Sequence, residues 1–334
     1  SRRLGNTGGK IAPGDLYPYE DIYFSERAKN GEWSNAKKLV GKVNTPNHEA
    51  PVWLSADGTK LFIYRAKGKG DIFETNYNGK EWEKPTKLKQ IDTKYRESHA
   101  SMTDDGQTIY FISNHAKLST NESMDIFRVN YNPSTKKWSQ PVNIGSTVNT
   151  PYDEDCVFIS GDGKTLYFSS EGHNSIGGFD FFKSTWENGA WSTPVNFGYP
   201  INTPANDVFI FFTGDEKHAY FDSDRKGGVG EKDLYKLTLL DDVKIPITIH
   251  IYDAVTKAPI GSITKITQAD NQAAVSLTET MLGTWQGETP FAKNFTLDVS
   301  ADGYKTHQES FHSRFDNPLK ASINIDIYLE PNPV

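Results

Sequence analysis

The sequence predicts an all-β protein: a five-bladed β-propeller whose first blade is incomplete in this chain, followed by a small β-sandwich. Three observations carry the prediction. A unit of about 50 residues recurs between residues 21 and 240. Several residue columns repeat together inside it, so the signal rests on no single one. The columns stop near Asp241, where Thr, Ile and Ala rise and a different alternation begins.

The unit is clearest from Asn149 to Trp191. Cys156–Ser160, Thr165–Ser170 and Phe179–Thr185 have strand composition, and Trp191–Phe197 follows the turn Glu187-Asn188-Gly189. Gly161-Asp162-Gly163 joins the first two runs, because a tight hairpin needs positive φ angles that glycine adopts without steric cost. Four antiparallel strands in order form a meander the size of one propeller blade.

The turn recurs as Asp57-Gly58, Asp105-Gly106 and Asp162-Gly163, with a degenerate Asp215-Glu216. Third strands open with Asp21, Asp71, Asp125, Asp180 and Asp233, spaced 50 to 55 residues apart. Fourth strands carry Trp33, Trp82, Trp138 and Trp191, and linkers read Asn44-Thr45-Pro46, Asn149-Thr150-Pro151 and Asn202-Thr203-Pro204, with a weaker Asp92-Thr93-Lys94. The aromatic and Trp columns are expected to be core.

Taken in order, residues 1–20 read as loop. Ser1-Arg2-Arg3 before Gly8-Gly9 repeats Ser223-Asp224-Arg225 before Gly227-Gly228, which places Ser1 at the end of a second strand. Residues 21–40 are then strands three and four of the first blade. Complete blades follow at about 44–90, 92–144 and 149–198, with first and second strands at 49–65, 97–113 and 154–170. The fifth blade supplies strands one and two at 207–223 and a third at Asp233–Leu240, but no fourth. The three missing strands are consecutive in a ring closed by its own N-terminal segment. They lead to an expected upstream stretch of roughly 30–40 residues, the length such strands take in propeller repeats. The rival is a four-bladed ring in which Gly31–Val40 pairs with Asp233–Leu240.

Residues 1–240 thus form the propeller and 243–330 the sandwich. In the latter Ile247, Ile249 and Ile251 alternate with Thr248, His250 and Tyr252, as in a half-buried strand. Further strands are expected at Ser262–Gln268, Ala274–Leu277, Phe295–Ser300 and Ile323–Leu329, in an antiparallel sandwich. Residues 331–334 read as a linker.

Composition narrows the function. A net charge of −7 argues against a nucleic-acid partner, which needs a basic face. No run reaches the length of a membrane helix, and no signal-peptide pattern is present, so the sequence reads as a mature or trimmed chain. The single cysteine, Cys156, lies in a strand and reads as a small buried residue.

The repeats resemble the WD-like propeller repeats of the TolB type. Residues 243–330 resemble the carboxypeptidase regulatory-like domain, a transthyretin-like sandwich, on Asp253-Ala254-Val255-Thr256-Lys257-Ala258-Pro259-Ile260 and Val299-Ser300-Ala301-Asp302-Gly303-Tyr304. The domain order is similar to that of the PorE-like OmpA-family proteins of the Bacteroidota type IX secretion system. This resemblance implies a periplasmic module associated with the outer membrane, and the repeat set without an asymmetric catalytic constellation leads to the expectation of a non-catalytic scaffold with no cofactor. Its implied partners are other periplasmic or outer-membrane secretion-complex proteins. Peptidoglycan would be reached only through a flanking domain outside this sequence.

Two columns are candidate sites. Glu49, Glu97, Glu154 and Asp207 precede the first strands and could ring one mouth of the channel, binding a cation, a lysine or a sugar. Their recurrence in every blade equally suits a structural task, such as accepting hydrogen bonds from the linker. One residue earlier, His48, Arg96, Asp153 and Asn206 break the symmetry, as a specific surface would. Asp153-Glu154-Asp155 is dense enough for calcium but lacks the spacing of a calcium loop. A glycan-binding or glycan-cleaving propeller is the alternative function, since glycoside hydrolysis needs two carboxylates. No carboxylate pair stands out from the repeat, however, and there is neither a Gly-x-Ser-x-Gly elbow nor metal-ligand spacing among the histidines. No enzyme activity and no metal are expected.

Overall fold

The computed structural model describes residues 19–66, 69–213, 218–228, 232–238, 243–315 and 321–333. Ser1-Arg2-Arg3 and the Asp215-Glu216 turn lie outside them. The chain divides into two units, Ser1–Leu237 and Thr238–Val334. It is all-β; among the described residues the helical element is a three-residue 3-10 turn, Thr120–Glu122. No helix among them is long and apolar enough to cross a membrane.

The first unit is a succession of antiparallel sheets. Sheet 1 pairs Tyr23–Phe24 with Lys37–Lys38. Sheet 2 runs Glu49–Leu54, Lys60–Arg65, Asp71–Asn76 and Thr86–Lys87. Sheet 3 starts Glu97–Met102, Thr108–Ser113, Asp125–Asn132, and sheet 4 starts Glu154–Ile159, Thr165–Ser170, Asp180–Glu187. Sheet 5 holds Asp207–Phe212, His218–Ser223 and Asp233–Thr238. The first strands of sheets 2 to 5 adjoin one another in order, as the inner strands of propeller blades do.

Each first strand has a register irregularity soon after its acidic residue, at Pro51/Trp53, Glu97/His99, Glu154/Val157 and Asp207/Ile210. Such bulges bend a strand and add twist. The Asp-Gly turns behave as the sequence requires. Gly58, Gly106 and Gly163 have φ of +71°, +68° and +74°. The preceding aspartates accept the backbone N–H of Thr59, Gln107 and Lys164 at 3.0, 2.9 and 2.9 Å.

The fourth strand departs from expectation. In sheets 3 and 4 it is two short pieces on one third strand: Lys137–Trp138 and Val142–Asn143, then Ala190–Trp191 and Val195–Asn196. Pro141 and Pro194 lie between the pieces, and a residue without an N–H cannot continue the ladder.

Phe62, Phe111 and Phe168 on the second strands are fully buried, each ring worth about 2–3 kcal/mol by area removed from water. Trp191 packs edge-on against Tyr110 of the preceding sheet at 5.9 Å. Trp33 meets Tyr220 of sheet 5 in the same way at 6.0 Å. Trp33 is nevertheless 54 % exposed, unlike the core residue expected. Among the described residues, Lys37–Lys38 pairs with Tyr23–Phe24 and makes no ladder with Asp233–Thr238.

The second unit has two four-stranded sheets. One holds Lys244–Asp253, Leu277–Met281, Thr284–Pro290 and Ile323–Leu329; the other Ile263–Gln268, Ala274–Val275, Asn294–Ser300 and His307–His312. Ile245, Ile247, Ile249 and Ile251 fill the core between them at 0–1 % exposure. Two expectations are corrected. Lys244–Asp253 and Ile323–Leu329 run parallel, so the unit is not purely antiparallel. The run Ala274–Leu277 splits at Ser276 between the two sheets.

Candidate functional site

The acidic column is committed to the linkers. Glu49, Glu97, Glu154 and Asp207 are 0–2 % exposed. Each carboxylate accepts the hydroxyl of the linker threonine four residues earlier: Thr45, Thr93, Thr150 at 2.8 Å and Thr203 at 2.9 Å. The backbone N–H of each acidic residue donates to the carbonyl of Glu20, Gly70, Met124 or Phe179, one residue before a third strand's Asp or its counterpart. In this way the linker, the first strand and the preceding sheet are tied at one point.

Three of the four residues one position earlier share a task despite their varied side chains. His48, Asp153 and Asn206 accept the backbone N–H of Glu20, Met124 and Phe179 at 3.4, 2.9 and 3.3 Å. Arg96 has no acceptor to offer and is exposed. Asp153, Glu154 and Asp155 do not share a partner: they bond Met124, Thr150 and Ser98 respectively.

The linker asparagines form a second tie. Asn44, Asn149 and Asn202 each accept from the N–H and donate to the C=O of one third-strand residue, Ile22, Ile126 or Phe181, at 2.7–3.1 Å. Asp92 occupies this position in the remaining linker and cannot donate.

Charge compensation differs between sheets. Arg65 Nε lies 3.0 Å from Glu49, and Arg225 lies 2.8 Å from Asp207. Glu97 and Glu154 have hydroxyl partners instead, Ser113 at 3.4 Å and Ser170 at 2.8 Å. Burial therefore raises Glu97 to about 7 and Glu154 to about 8, against the lowering effect of these hydrogen bonds. A carboxyl whose folded pKa is raised favours folding below its unfolded pKa, and that advantage is lost as pH rises through the folded value. The melting temperature is thus expected to fall between pH 5 and pH 8, by ~1 kcal/mol of stability per pH unit for Glu154. Glu154→Gln should flatten this slope. Differential scanning calorimetry at several pH values checks it; parallel wild-type and variant curves would refute it.

Cys156 is not a nucleophile. It is fully buried, its Sγ 3.8 Å from His99 Nε2 and 3.6 Å from the Ile210 carbonyl. Burial pushes the thiol up and lowers His99 to about 3, so both are neutral at pH 7. His173 Nε2 lies 2.8 Å from the Val148 carbonyl and the His115 ring packs tilted against Tyr95 at 4.5 Å, both packing roles.

The open volume lies at the other end of the first strands, near the Asp-Gly turns. It is a cavity of about 840 Å³. Ile22, Phe24 and Leu39 flank it from sheet 1, Trp53 from sheet 2, Phe158 from sheet 4 and Phe212 from sheet 5. At its rim Val40, Leu54 and Tyr77 are 57, 52 and 40 % exposed. Sequence reasoning did not find it, because its walls come from every sheet and no single stretch of the chain marks it.

No known family profile and no curated protein matches the sequence. Among solved structures, the chain is similar to a TolB candidate from Agrobacterium tumefaciens, at 14 % identity over 87 % of this chain and 92 % of that one, with a TM-score of 0.38. It is also similar to a luciferin-regenerating enzyme, at 13 % identity over 69 and 76 % of the two chains, with a TM-score of 0.39. A 6-phosphogluconolactonase candidate from Bacteroides uniformis gives 12 % identity over 66 and 65 %, with a TM-score of 0.32. None reaches a TM-score of 0.5, so the architecture rests on the sheets themselves.

Proposed function

We propose that this protein is a non-catalytic interaction scaffold whose propeller receives an extended polypeptide in the apolar cavity beside sheet 1. The cavity carries the reading. Sheet 1, within residues 19–40, consists of the strands equivalent to the third and fourth of the other sheets. The 840 Å³ space lies on the side where sheets 2 to 5 have their first and second strands. Its lining is mainly aromatic and aliphatic, with Glu26, Lys80 and Asp104 among the polar residues, and an exposed apolar patch of this kind is the usual mark of a protein-binding surface. An added hairpin would bury it and satisfy its own backbone against the neighbouring strands.

The finer architecture belongs to the same proposal: a five-bladed ring with an incomplete first blade, joined to a transthyretin-like, carboxypeptidase regulatory-like sandwich. The packing of Trp33 on Tyr220 supports the five-blade count. A place in a periplasmic, outer-membrane-associated assembly, like that of the PorE-like proteins, is in keeping with a scaffold. The buried carboxylates, each bonded to its own linker, do not favour the glycan reading.

The test is a synthetic peptide copying Glu97–Ser113, a first and second strand of this fold, titrated against the protein beside a scrambled control. Saturable binding is expected with a dissociation constant on the order of 10 μM, about −7 kcal/mol. Leu54→Asp, at an exposed rim position, should abolish it without altering the melting temperature. Equal binding of the scrambled peptide would overturn the proposal. So would glycoside turnover that Glu97→Gln or Glu154→Gln removes.

A further inference from the structure

The junction between sheets 2 and 3 breaks the repeat in its charge. At the next two junctions a third-strand aspartate is held by a chain of neutral amides. Asn143 donates to Asp125 at 2.7 Å and accepts from Asn149 at 2.8 Å; Asn196 donates to Asp180 at 3.2 Å and accepts from Asn202 at 2.7 Å. At the sheet 2–3 junction Lys87 stands in place of the first asparagine and Asp92 in place of the second. The result is three carboxylates, Asp71, Asp92 and Glu97, with oxygens within 4.8 Å of one another. Lys87 reaches Asp71 at 3.1 Å and Asp92 at 2.9 Å, leaving three acidic groups against one ammonium.

A second observation concerns Glu97. Its side chain is 1 % exposed, and its Oε1 accepts from Thr93 and Ser113. Its Oε2 is buried without a hydrogen-bond partner. Elsewhere in the column Arg65 and Arg225 compensate Glu49 and Asp207. A buried carboxylate oxygen with no donor costs more than a satisfied one, and a cation beside it removes that cost.

We propose that Asp71, Asp92 and Glu97 form a binding site for a divalent cation, with Ca²⁺ as its preferred occupant. An all-oxygen, hard donor set in a loosely shaped junction suits Ca²⁺, whose coordination accepts irregular geometry and completing waters. Mg²⁺ demands a near-ideal octahedron and gives up water reluctantly. Lys87 competes for the same oxygens. Its ammonium is partly exposed and can swing into solvent when the ion enters. Bound there, Ca²⁺ links the third strand of sheet 2, the linker and the first strand of sheet 3.

The experiment is calorimetric titration of the full chain with CaCl₂, and separately with MgCl₂, for wild type, Asp92→Asn and Lys87→Gln. Asp92→Asn carries the residue found in the other three linkers, and melting curves verify that both variants fold. Wild type should bind one Ca²⁺ with a dissociation constant of about 10⁻⁴–10⁻³ M, the range of sites with few charged ligands. Lys87→Gln should tighten this by at least ~10-fold, because an opposing charge is gone. Asp92→Asn should lose saturable binding, and MgCl₂ should bind more weakly than CaCl₂ throughout. No saturable Ca²⁺ binding by wild type up to about 10 mM overturns the proposal, as does undiminished binding in Asp92→Asn.

Discussion

Arg65→Ala should lower the stability of the propeller unit by about 3 kcal/mol, the usual cost of removing one member of a buried ion pair. Arg65 does three things at once. It bonds Glu49 at 3.0 Å, donates to the Val43 carbonyl at 3.0 Å, and stacks its guanidinium 4.6 Å from the centre of the Phe73 ring. Alanine removes all three and leaves Glu49 buried without a counter-charge. Burial already raises Glu49 in spite of Arg65, and the variant removes one of the effects that hold it down. Urea denaturation of Arg65→Ala and of the double variant Glu49→Gln/Arg65→Met decides the point. The double variant should recover most of the loss, because matched neutral residues need no compensation. A loss below about 1 kcal/mol would mean that the pair behaves like a surface salt bridge.

Asn149→Ala should cost about as much, on the order of 3 kcal/mol, through unmet hydrogen bonds and not through charge. Asn149 is 1 % exposed and holds the Ile126 N–H and C=O at 2.9 Å each, as well as Asn143. Alanine leaves those backbone groups buried with no water to replace the amide. Asn149→Asp should be nearly as damaging, since it keeps the acceptor but loses the donor and adds a charge close to Glu154 and Asp125. Chemical denaturation of the two variants measures this. A Asn149→Asp variant as stable as wild type would remove the reason for asparagine at this position.

The strands of sheets 2 to 5 were legible because two local signals coincide. In sheets 2 to 4 a glycine turn fixes where the chain reverses, and in all four an aspartate fixes where the third strand begins. Each expected hairpin accordingly starts and ends where the ladders do: Glu49 faces Arg65, Glu97 faces Ser113, Glu154 faces Ser170 and Asp207 faces Ser223. The broken fourth strand was in principle legible too, since Pro141 and Pro194 stood in the run. Trp138 and Trp191 mark only the first piece of each fourth strand. In the second unit the isoleucine alternation located its strand, yet the parallel partner Ile323–Leu329 lies about 70 residues away, beyond any local signal.

The sequence by itself determined the repeat, its turns and its strand order, because these depend on φ angles, hydrogen-bond donors and spacing along the chain. It also located the acidic columns. Only the tertiary structure decided what those carboxylates face, because burial and partners are set by neighbouring sheets. There Glu49 and Asp207 meet arginines, Glu154 meets a serine, and Glu97 lies beside Asp71 and Asp92 from two other columns. The cavity was likewise a tertiary outcome. Trp53, Phe158 and Phe212 lie on three different first strands, and only the packing of those sheets brings them to one space.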